Sequence, residues 1–390
     1  MSSTNPSEKK LRILICLLYY FPHRTGLTIH VQRVAEELVR RGHEVTVLTA
    51  RYSHELPRDD AKMHEGVRIV RLWAPIHLSR GMIMPAYPWA VYTLMREHDV
   101  VSVHTPTPET AIIAAVSKLA GRKVVVTHHG DLLLPAGLAN RVIQYGMFAM
   151  YTRLARRASR ILSYSQDYAD HSYYLQPFID KVTVVSPPIH MPLPEGARVA
   201  ALRNDWAREG GPIIGYAHRF VEEKRPDLAI RALEVVRARY PNARLIFAGQ
   251  YDIPYENTWA RHQPLVNQFR DRLTFLGVIQ DPQEMANFYA SCDVIVLPSD
   301  SECFALAQVE AMLCGTPVVM TDIPGGRVPV RETGMGKLAR PGDWQSIGAA
   351  LVDVLDAPQR YIKPRETIER AFPFHATVDC YEHHFRTHAQ

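Results

Sequence analysis

Short apolar runs alternate along this chain with stretches in which apolar positions recur every three or four residues. In the first half, Arg12 to Tyr19, Glu44 to Thr49, Val100 to His104, Lys123 to His128 and Val182 to Val185 read as buried strands. Between the first two, the stretch from Ile29 to Arg40 sets Val31, Val34, Ala35 and Leu38 on one helical face. Alternation of this kind predicts parallel strands joined by helical crossovers.

Pro187, Pro188, Pro192, Pro194 and Gly196, followed by Glu209-Gly210-Gly211-Pro212, interrupt the pattern with linker chemistry. It restarts with a strand from Ile213 to Ala217, a helix from Pro226 to Arg239, strands from Arg244 to Ala248 and Leu273 to Leu276, and a helix from Pro282 to Ser291. Next come a short strand, Cys292 to Pro298, and an apolar helix from Phe304 to Leu313, closed by Gly315-Thr316-Pro317. Pro364 to Phe372 and His375 to His388 read as two final helices. The expected fold is α/β, with two Rossmann-like domains facing one another across a cleft. The boundaries are 1–190, a linker over 191–211, a second domain over 212–370, and a terminal helix over 371–390 that crosses back onto the first domain. The first ten residues read as disordered.

With 390 residues, 47% apolar and 22% charged, the chain is long enough for two cores. Residues 1–195 hold 23 Lys and Arg against 16 Asp and Glu, a net +7, while 196–390 hold 22 against 24, a net −2. That asymmetry predicts an anionic partner for the first half, such as an acceptor phosphate or a membrane surface; no nucleic-acid partner is expected. Five cysteines without metal-ligand spacing read as reduced and cytoplasmic. The apolar run from Ile13 to Phe21 is short and lacks a small-x-small cleavage site, so it reads as a strand rather than a signal peptide. No stretch approaches the roughly 20 apolar residues of a membrane span.

The sharpest chemical signal is Glu302 and Glu310, eight residues apart across a strand-to-helix junction. Glu302 at the helix mouth either compensates the helix dipole or grips a ligand beside an anion site. Glu310 lies among Leu306, Ala307, Val309, Ala311 and Leu313, where a carboxylate wants a partner. Upstream, Arg219 leaves a strand's C-terminal end, and Lys224 stands just before the helix that Pro226 opens. These cations either pair locally with Glu222 and Glu223 or bind a diphosphate in the ligand crevice.

In the first half, Gly26 either lets the backbone approach a phosphate, with Thr28 capping the helix, or makes a plain turn. His129, in Thr127-His128-His129-Gly130-Asp131, either hydrogen-bonds a sugar hydroxyl or serves a structural turn. No Asp-x-Asp or His-x-x-x-His accompanies it, so no metal is expected. The dinucleotide fingerprint and the Walker-type loop are both missing, which weakens hydride-transfer and NTPase readings. Arg153, Arg156, Arg157 and Arg160, beside Tyr145, Met147, Phe148, Met150 and Tyr151, form either a face for an anionic membrane or a packed helix with solvated arginines. Ser79 to Trp89 reads as a mobile apolar loop that helps hold an acceptor.

Taken together, these residues resemble the retaining glycosyltransferase family 4, with its GT-B fold, over nearly the whole length. The resemblance rests on Glu302 and Glu310 followed by Gly315-Thr316-Pro317-Val318-Val319, on Arg219 with Lys224, on the position of His129, and on Asp293 to Ser299. It implies a nucleotide-diphosphate sugar as donor, UDP- or GDP-linked, bound mainly by the second domain, and no cofactor. Glu310 would hold the ribose, Glu302 the sugar hydroxyls, Arg219 and Lys224 the diphosphate, and His129 the sugar from the opposite lobe. Gly26 would touch the phosphates. Backbone amides around Phe304, Ala305 and Leu306 would complete the anion site, and Val278 and Ile279 would meet the base. The chain departs from the family pattern at Leu27 after Gly26, at His218 before Arg219 and at Ala305, each a place where the family often has glycine.

The expected activity is retaining transfer of a hexose-type sugar to a sugar or lipid-linked acceptor, in cell-surface glycan, glycolipid or polysaccharide synthesis. The protein would then be cytoplasmic, with peripheral contact at the inner face of the membrane. A sugar-nucleotide epimerase on the same fold and a non-catalytic sugar-nucleotide binding protein are the alternatives.

Overall fold

The structure, a computed structural model, describes residues 9–57, 62–78, 81–132, 137–207, 210–253 and 257–389. The start of the chain, Ser79, Arg80 and Glu209, all mentioned above, lie outside them. The chain divides into two compact units, Met1–Pro188 with Phe374–Gln390, and Ile189–Pro373.

The first unit is built on β1 (Arg12–Cys16), β2 (Glu44–Arg51), β3 (Lys62–His64) and β4 (Val67–Trp73), then, beyond a separate hairpin of β5 (Ile76–Leu78) and β6 (Gly81–Ile83), β7 (Val100–Thr105), β8 (Val124–His128), β9 (Arg160–Ser163) and β10 (Val182–Val184). The sheet order is β10-β9-β8-β7-β1-β2-β4-β3, parallel except for the β3–β4 pair. The chain leaves β1 in one direction through β2 and returns to β7 on the other side, so the strand order reverses between β1 and β7. Sequence reading missed β4 because Arg68 and Arg71 break its apolar run; Arg71 is buried all the same, donating from Nη2 to the Phe21 carbonyl at 2.9 Å. Arg160 belongs to β9 and not to the helix Leu138–Arg157, which removes it from the helical arginine series. In the segment read as a mobile loop, residues from 81 onward form β6 and the start of the helix Tyr87–Glu97, with Met82, Met84 and Tyr87 buried.

The last helix, Phe374–His388, belongs to this unit. Val378, Tyr381 and Phe385 recur on one face and are fully buried in the core with Val31, Val34 and Leu38. Arg41 ties the helix down by ion pairs to Asp379 at 2.6 Å and Glu382 at 3.0 Å.

The second unit holds β11 (Ile213–Tyr216), β12 (Arg244–Ala248), β13 (Leu273–Gly277), β14 (Val294–Leu297), β15 (Val318–Thr321) and β16 (Gly336–Ala339). They form an all-parallel sheet in the order β13-β12-β11-β14-β15-β16. Here the order reverses between β11 and β14, and in open parallel sheets ligands bind beyond the strand C-termini at such a point. The expected linker over 191–211 is not one. Its centre is the helix Gly196–Trp206, whose Trp206 packs 6.1 Å from Phe288 and whose Arg203 and Arg198 pair with Asp293 at 2.9 Å and Glu284 at 2.8 Å. Those contacts fix the segment to the second unit, and the prolines form only its extended approach.

Candidate functional site

Two loops of the second unit meet where its strand order reverses. The first leaves β11 as Ala217-His218-Arg219 and passes through a short 3-10 turn, Glu222–Lys224. Its course is set by Gly249, at the end of β12: at φ +148 a Cβ there would lie 2.1 Å from the His218 carbonyl oxygen, so only glycine allows the approach. Buried Tyr216 reaches the Arg219 carbonyl at 3.3 Å and the Lys224 carbonyl at 3.1 Å, fastening both ends of the loop. Arg225, at φ 46, pairs with Asp227 at 2.9 Å and with Asp300 on the second loop at 3.3 Å.

The second loop leaves β14 as Pro298-Ser299-Asp300-Ser301-Glu302. Thr321 donates to the Ser299 carbonyl at 2.6 Å, and Glu302 forms an isolated bridge to Gly325. Gly325 has φ +75, and a Cβ there would come within 2.6 Å of the Glu302 and Cys303 carbonyl oxygens.

At the junction the Glu302 carboxylate is shielded from solvent, its side chain 8% exposed. Its Oε1 accepts from Lys224 Nζ at 2.6 Å and Ser299 Oγ at 2.8 Å, and His218 Nε2 stands 3.3 Å away. Burial pushes the carboxyl's pKa up, but Lys224, His218 and Ser299 outweigh it, and the net shift is downward. Lys224 also donates to the Ser301 carbonyl at 3.2 Å. Arg219 is half-buried, 4.0 Å from Glu223. The loops thus hold a buried carboxylate against Lys224, with a second cation, Arg219, on the same loop as Lys224, an arrangement suited to a ligand that carries both hydroxyls and negative charge.

The helix expected from Phe304 begins at Leu306 and runs to Leu313. Ala305 stops it from starting earlier, because its φ of 58 lies in the left-handed region. Glu302 is therefore four residues ahead of the first helical residue. No side chain caps that helix start, Phe304 is buried with its ring 5.3 Å from Phe372, and Gln308 donates to the Gly326 carbonyl at 2.7 Å. Glu310 is half-buried and accepts from the buried Tyr289 hydroxyl at 3.2 Å. Val278, exposed, and Ile279, half-buried, follow Gly277, whose carbonyl accepts from the Gly249 N–H at 2.8 Å.

In the first unit, Gly26 is the first, exposed residue of the helix Gly26–Arg40. The cap is Thr25 and not Thr28: the two make a capping box, Thr25 Oγ1 accepting from Thr28 N at 3.3 Å and Thr28 Oγ1 from Thr25 N at 2.8 Å. His129 is held at both ring nitrogens, Nδ1 by the Tyr164 hydroxyl and Nε2 by His104 Nδ1 at 2.8 Å. His104 Nε2 in turn stands 3.2 Å from Ser102 Oγ. Burial is the main force lowering both pKa values, that of His104 to about 3 and that of His129 well below the ordinary range. Each neutral ring carries one N–H, so the chain from Tyr164 to Ser102 runs in a single direction. Among the described residues no group of three or more His, Cys, Asp and Glu is gathered to hold a metal ion.

Sequence reasoning missed Ser299, Tyr289, His104 and Tyr164, the neighbours that hold Glu302, Glu310 and His129. Tyr164 follows a strand hidden inside the arginine series, and Ser299 and Tyr289 carry no spacing signal of their own.

A family model described as "Glycosyl transferases group 1" matches residues 200–372, and one described as "Glycosyl transferase 4-like domain" matches residues 25–188. The D-inositol 3-phosphate glycosyltransferase of Nocardia farcinica is 26% identical over 84% of this chain and 77% of its own length. That of Stackebrandtia nassauensis is 33% identical, but over 46% of this chain and 42% of its own. Among solved structures, Anabaena HepE in complex with UDP-glucose superposes with a TM-score of 0.79 at 17% identity, covering 97% of this chain and all (100%) of that one. Sucrose-phosphate synthase from Thermosynechococcus elongatus gives 0.77 at 20% identity, covering 97% and 99%.

Proposed function

We propose, for a chain that belongs to the GT4-type glycosyltransferases and has their GT-B fold, that it transfers a hexose-type sugar from a nucleotide-diphosphate sugar to an acceptor hydroxyl with retention of configuration. The observation that carries this reading is the buried Glu302 carboxylate bound to Lys224 and Ser299, with Arg219 on the same loop as Lys224, where the strand order of the second unit reverses.

Lys224 and Arg219 take the diphosphate, and the backbone amides of Phe304, Ala305 and Leu306, at an uncapped helix start, add donors to it. Glu302 accepts from sugar hydroxyls, and Glu310, steadied by Tyr289, from the ribose. Val278 and Ile279 meet the base. To the first unit we assign Gly26 at the phosphates and His129 at the sugar, the latter on condition that its ring gives up one of its two present bonds, to Tyr164 or to His104.

In the reaction the acceptor oxygen bonds to the anomeric carbon on the face from which the diphosphate leaves. The bond from that carbon to the phosphate oxygen breaks, and the leaving phosphate takes the acceptor's proton. The cations stabilise the charge that develops on it. The carboxylates bind hydroxyls, and neither acts as a base.

A UDP- or GDP-sugar is the donor, and a sugar or lipid-linked alcohol is the acceptor, with D-inositol 3-phosphate, named in the relatives, the first to try. The setting is cell-surface glycan, glycolipid or polysaccharide synthesis at the cytoplasmic face of a membrane. The helix Leu138–Arg157 supports contact with an anionic surface: it contains four arginines and no acidic residue, and Leu138, Val142 and Tyr145 are exposed. No helix among the described residues is long and apolar enough to cross a membrane.

The test is a thermal-shift screen of UDP-, GDP- and ADP-sugars, followed by proton NMR of the product made with an acceptor panel. A retained anomeric configuration is expected. An inverted product, or an epimerised donor formed without acceptor, would overturn the reading.

A further inference from the structure

One residue at the centre of the second unit's site has no role in the reading above. His218 is mostly shielded, its side chain 15% exposed, and its ring faces Glu302. Its backbone is fixed by the close approach of Gly249. Although Nε2 is 3.3 Å from Glu302 Oε1, the geometry is wrong for a hydrogen bond, and that oxygen already accepts from Lys224 and Ser299. His218 Nε2 is therefore a buried nitrogen that meets no hydrogen-bonding partner among the described residues.

Burial lowers the ring's pKa to about 4, so it carries a single N–H at neutral pH. Opposite a carboxylate oxygen, the tautomer with its proton on Nε2 avoids setting lone pair against lone pair. A buried donor in that position calls for an acceptor. The neighbouring carboxylate limits which acceptor fits. A phosphate oxygen would accept from the imidazole but would be repelled by Glu302. A hydroxyl satisfies both groups, accepting from His218 while donating to Glu302.

We propose that His218 and Glu302 form a donor-and-acceptor clamp on one hydroxyl of the transferred sugar, which makes His218 a sugar-specificity residue. The proposal rests on the functional reading above. It gives a bulky, polar residue a use at a position where a glycine would offer no side chain at all.

The experiment is calorimetric titration of the full chain with UDP-, GDP- and ADP-glucose and with the parent diphosphates UDP, GDP and ADP, for wild type, His218→Ala and His218→Gln. For the nucleotide sugar that binds wild type, His218→Ala should weaken affinity about tenfold, the loss expected for one hydrogen bond, while the parent diphosphate changes less than about twofold. His218→Gln keeps an N–H donor and should recover most of the loss. Equal weakening of sugar nucleotide and diphosphate, or no weakening of either, overturns the clamp while leaving the transferase reading intact. Failure of wild type to bind any of the nucleotide sugars overturns both. Melting curves of the two variants within a few degrees of wild type would tie the effect to binding rather than to folding.

Discussion

Lys224 Nζ and Glu302 Oε1 lie 2.6 Å apart across 78 positions of sequence, joining the loop after β11 to the loop after β14. Both side chains are largely shielded, at 14% and 8% exposure, so each depends on the other for compensation. Lys224→Met leaves the carboxylate in place without its cation and should cost about 3 to 5 kcal/mol, as breaking a buried pair from one side does. The double variant Lys224→Met/Glu302→Gln should recover much of this. Urea denaturation of the two variants measures the difference, and equal losses would show that the pair does not couple.

Among the described residues the half-buried Arg219 side chain has one ion-pair contact, a long one of 4.0 Å with Glu223, so its loss should cost the fold little. Arg219→Ala should keep the melting temperature and lower turnover by about two to three decades, the scale of losing one preorganised charge stabiliser. Steady-state kinetics beside a thermal melt tests both halves of the statement. Near-full transfer by a folded variant would remove Arg219 from the diphosphate.

Ala305 has φ 58, which a residue with a Cβ adopts at a cost. Ala305→Gly should therefore stabilise the protein by about 0.5 to 1 kcal/mol, and Ala305→Val should destabilise it by more than that. Denaturant midpoints of the two variants give the answer directly.

His30, His104 and His129 are all held neutral, burial being the main cause, and His104 does not protonate until about pH 3. In the unfolded chain such rings protonate near 6.5. Below that pH the unfolded state binds protons first, so stability is full above about 6.5 and falls progressively toward about 3. His104 steepens the decline across that window, and His30 and His129 add to it in the same direction. Urea midpoints at pH 7.5 and 5.5 should show the loss, and His104→Asn should make it smaller.

Tyr381 lies 2.8 Å from His30 Nε2 and 3.0 Å from Thr127 Oγ1. Tyr381→Phe removes the hydroxyl from both and should cost about 1 to 3 kcal/mol. Deleting the helix Phe374–His388 should unfold the first unit, because Val378, Tyr381 and Phe385 complete its core. Circular dichroism of the two variants separates loss of a hydrogen bond from loss of a core.

The central parallel strands were legible where both faces are buried and the strand reads as an apolar run, as in Val124–His128 and Val294–Leu297. The strand Val67–Trp73 was not, since two arginines lie within it and one of them, Arg71, is buried with a long-range hydrogen bond to the Phe21 carbonyl. The helix Gly196–Trp206 was lost among prolines because Trp206 and the Arg203–Asp293 pair hold it, and both are tertiary contacts. The same divide runs through the candidate site. Residues on a spacing, such as Glu302 and Glu310, can be found from sequence. Those that orient them carry no such spacing: Ser299 lies three residues before Glu302 on the same loop, and Tyr289 is brought to Glu310 by the fold.

The return of the final helix to the first unit sets an order on how the protein is made. Synthesis proceeds at about 5 to 20 residues per second, and domains generally fold as the ribosome releases them. Here the strands of the first unit emerge first but must wait for Val378, Tyr381 and Phe385, which follow the whole of the second unit. The second unit, contiguous from Ile189 to Pro373, has all its parts sooner. The half of the chain translated first is thus the last able to close its core.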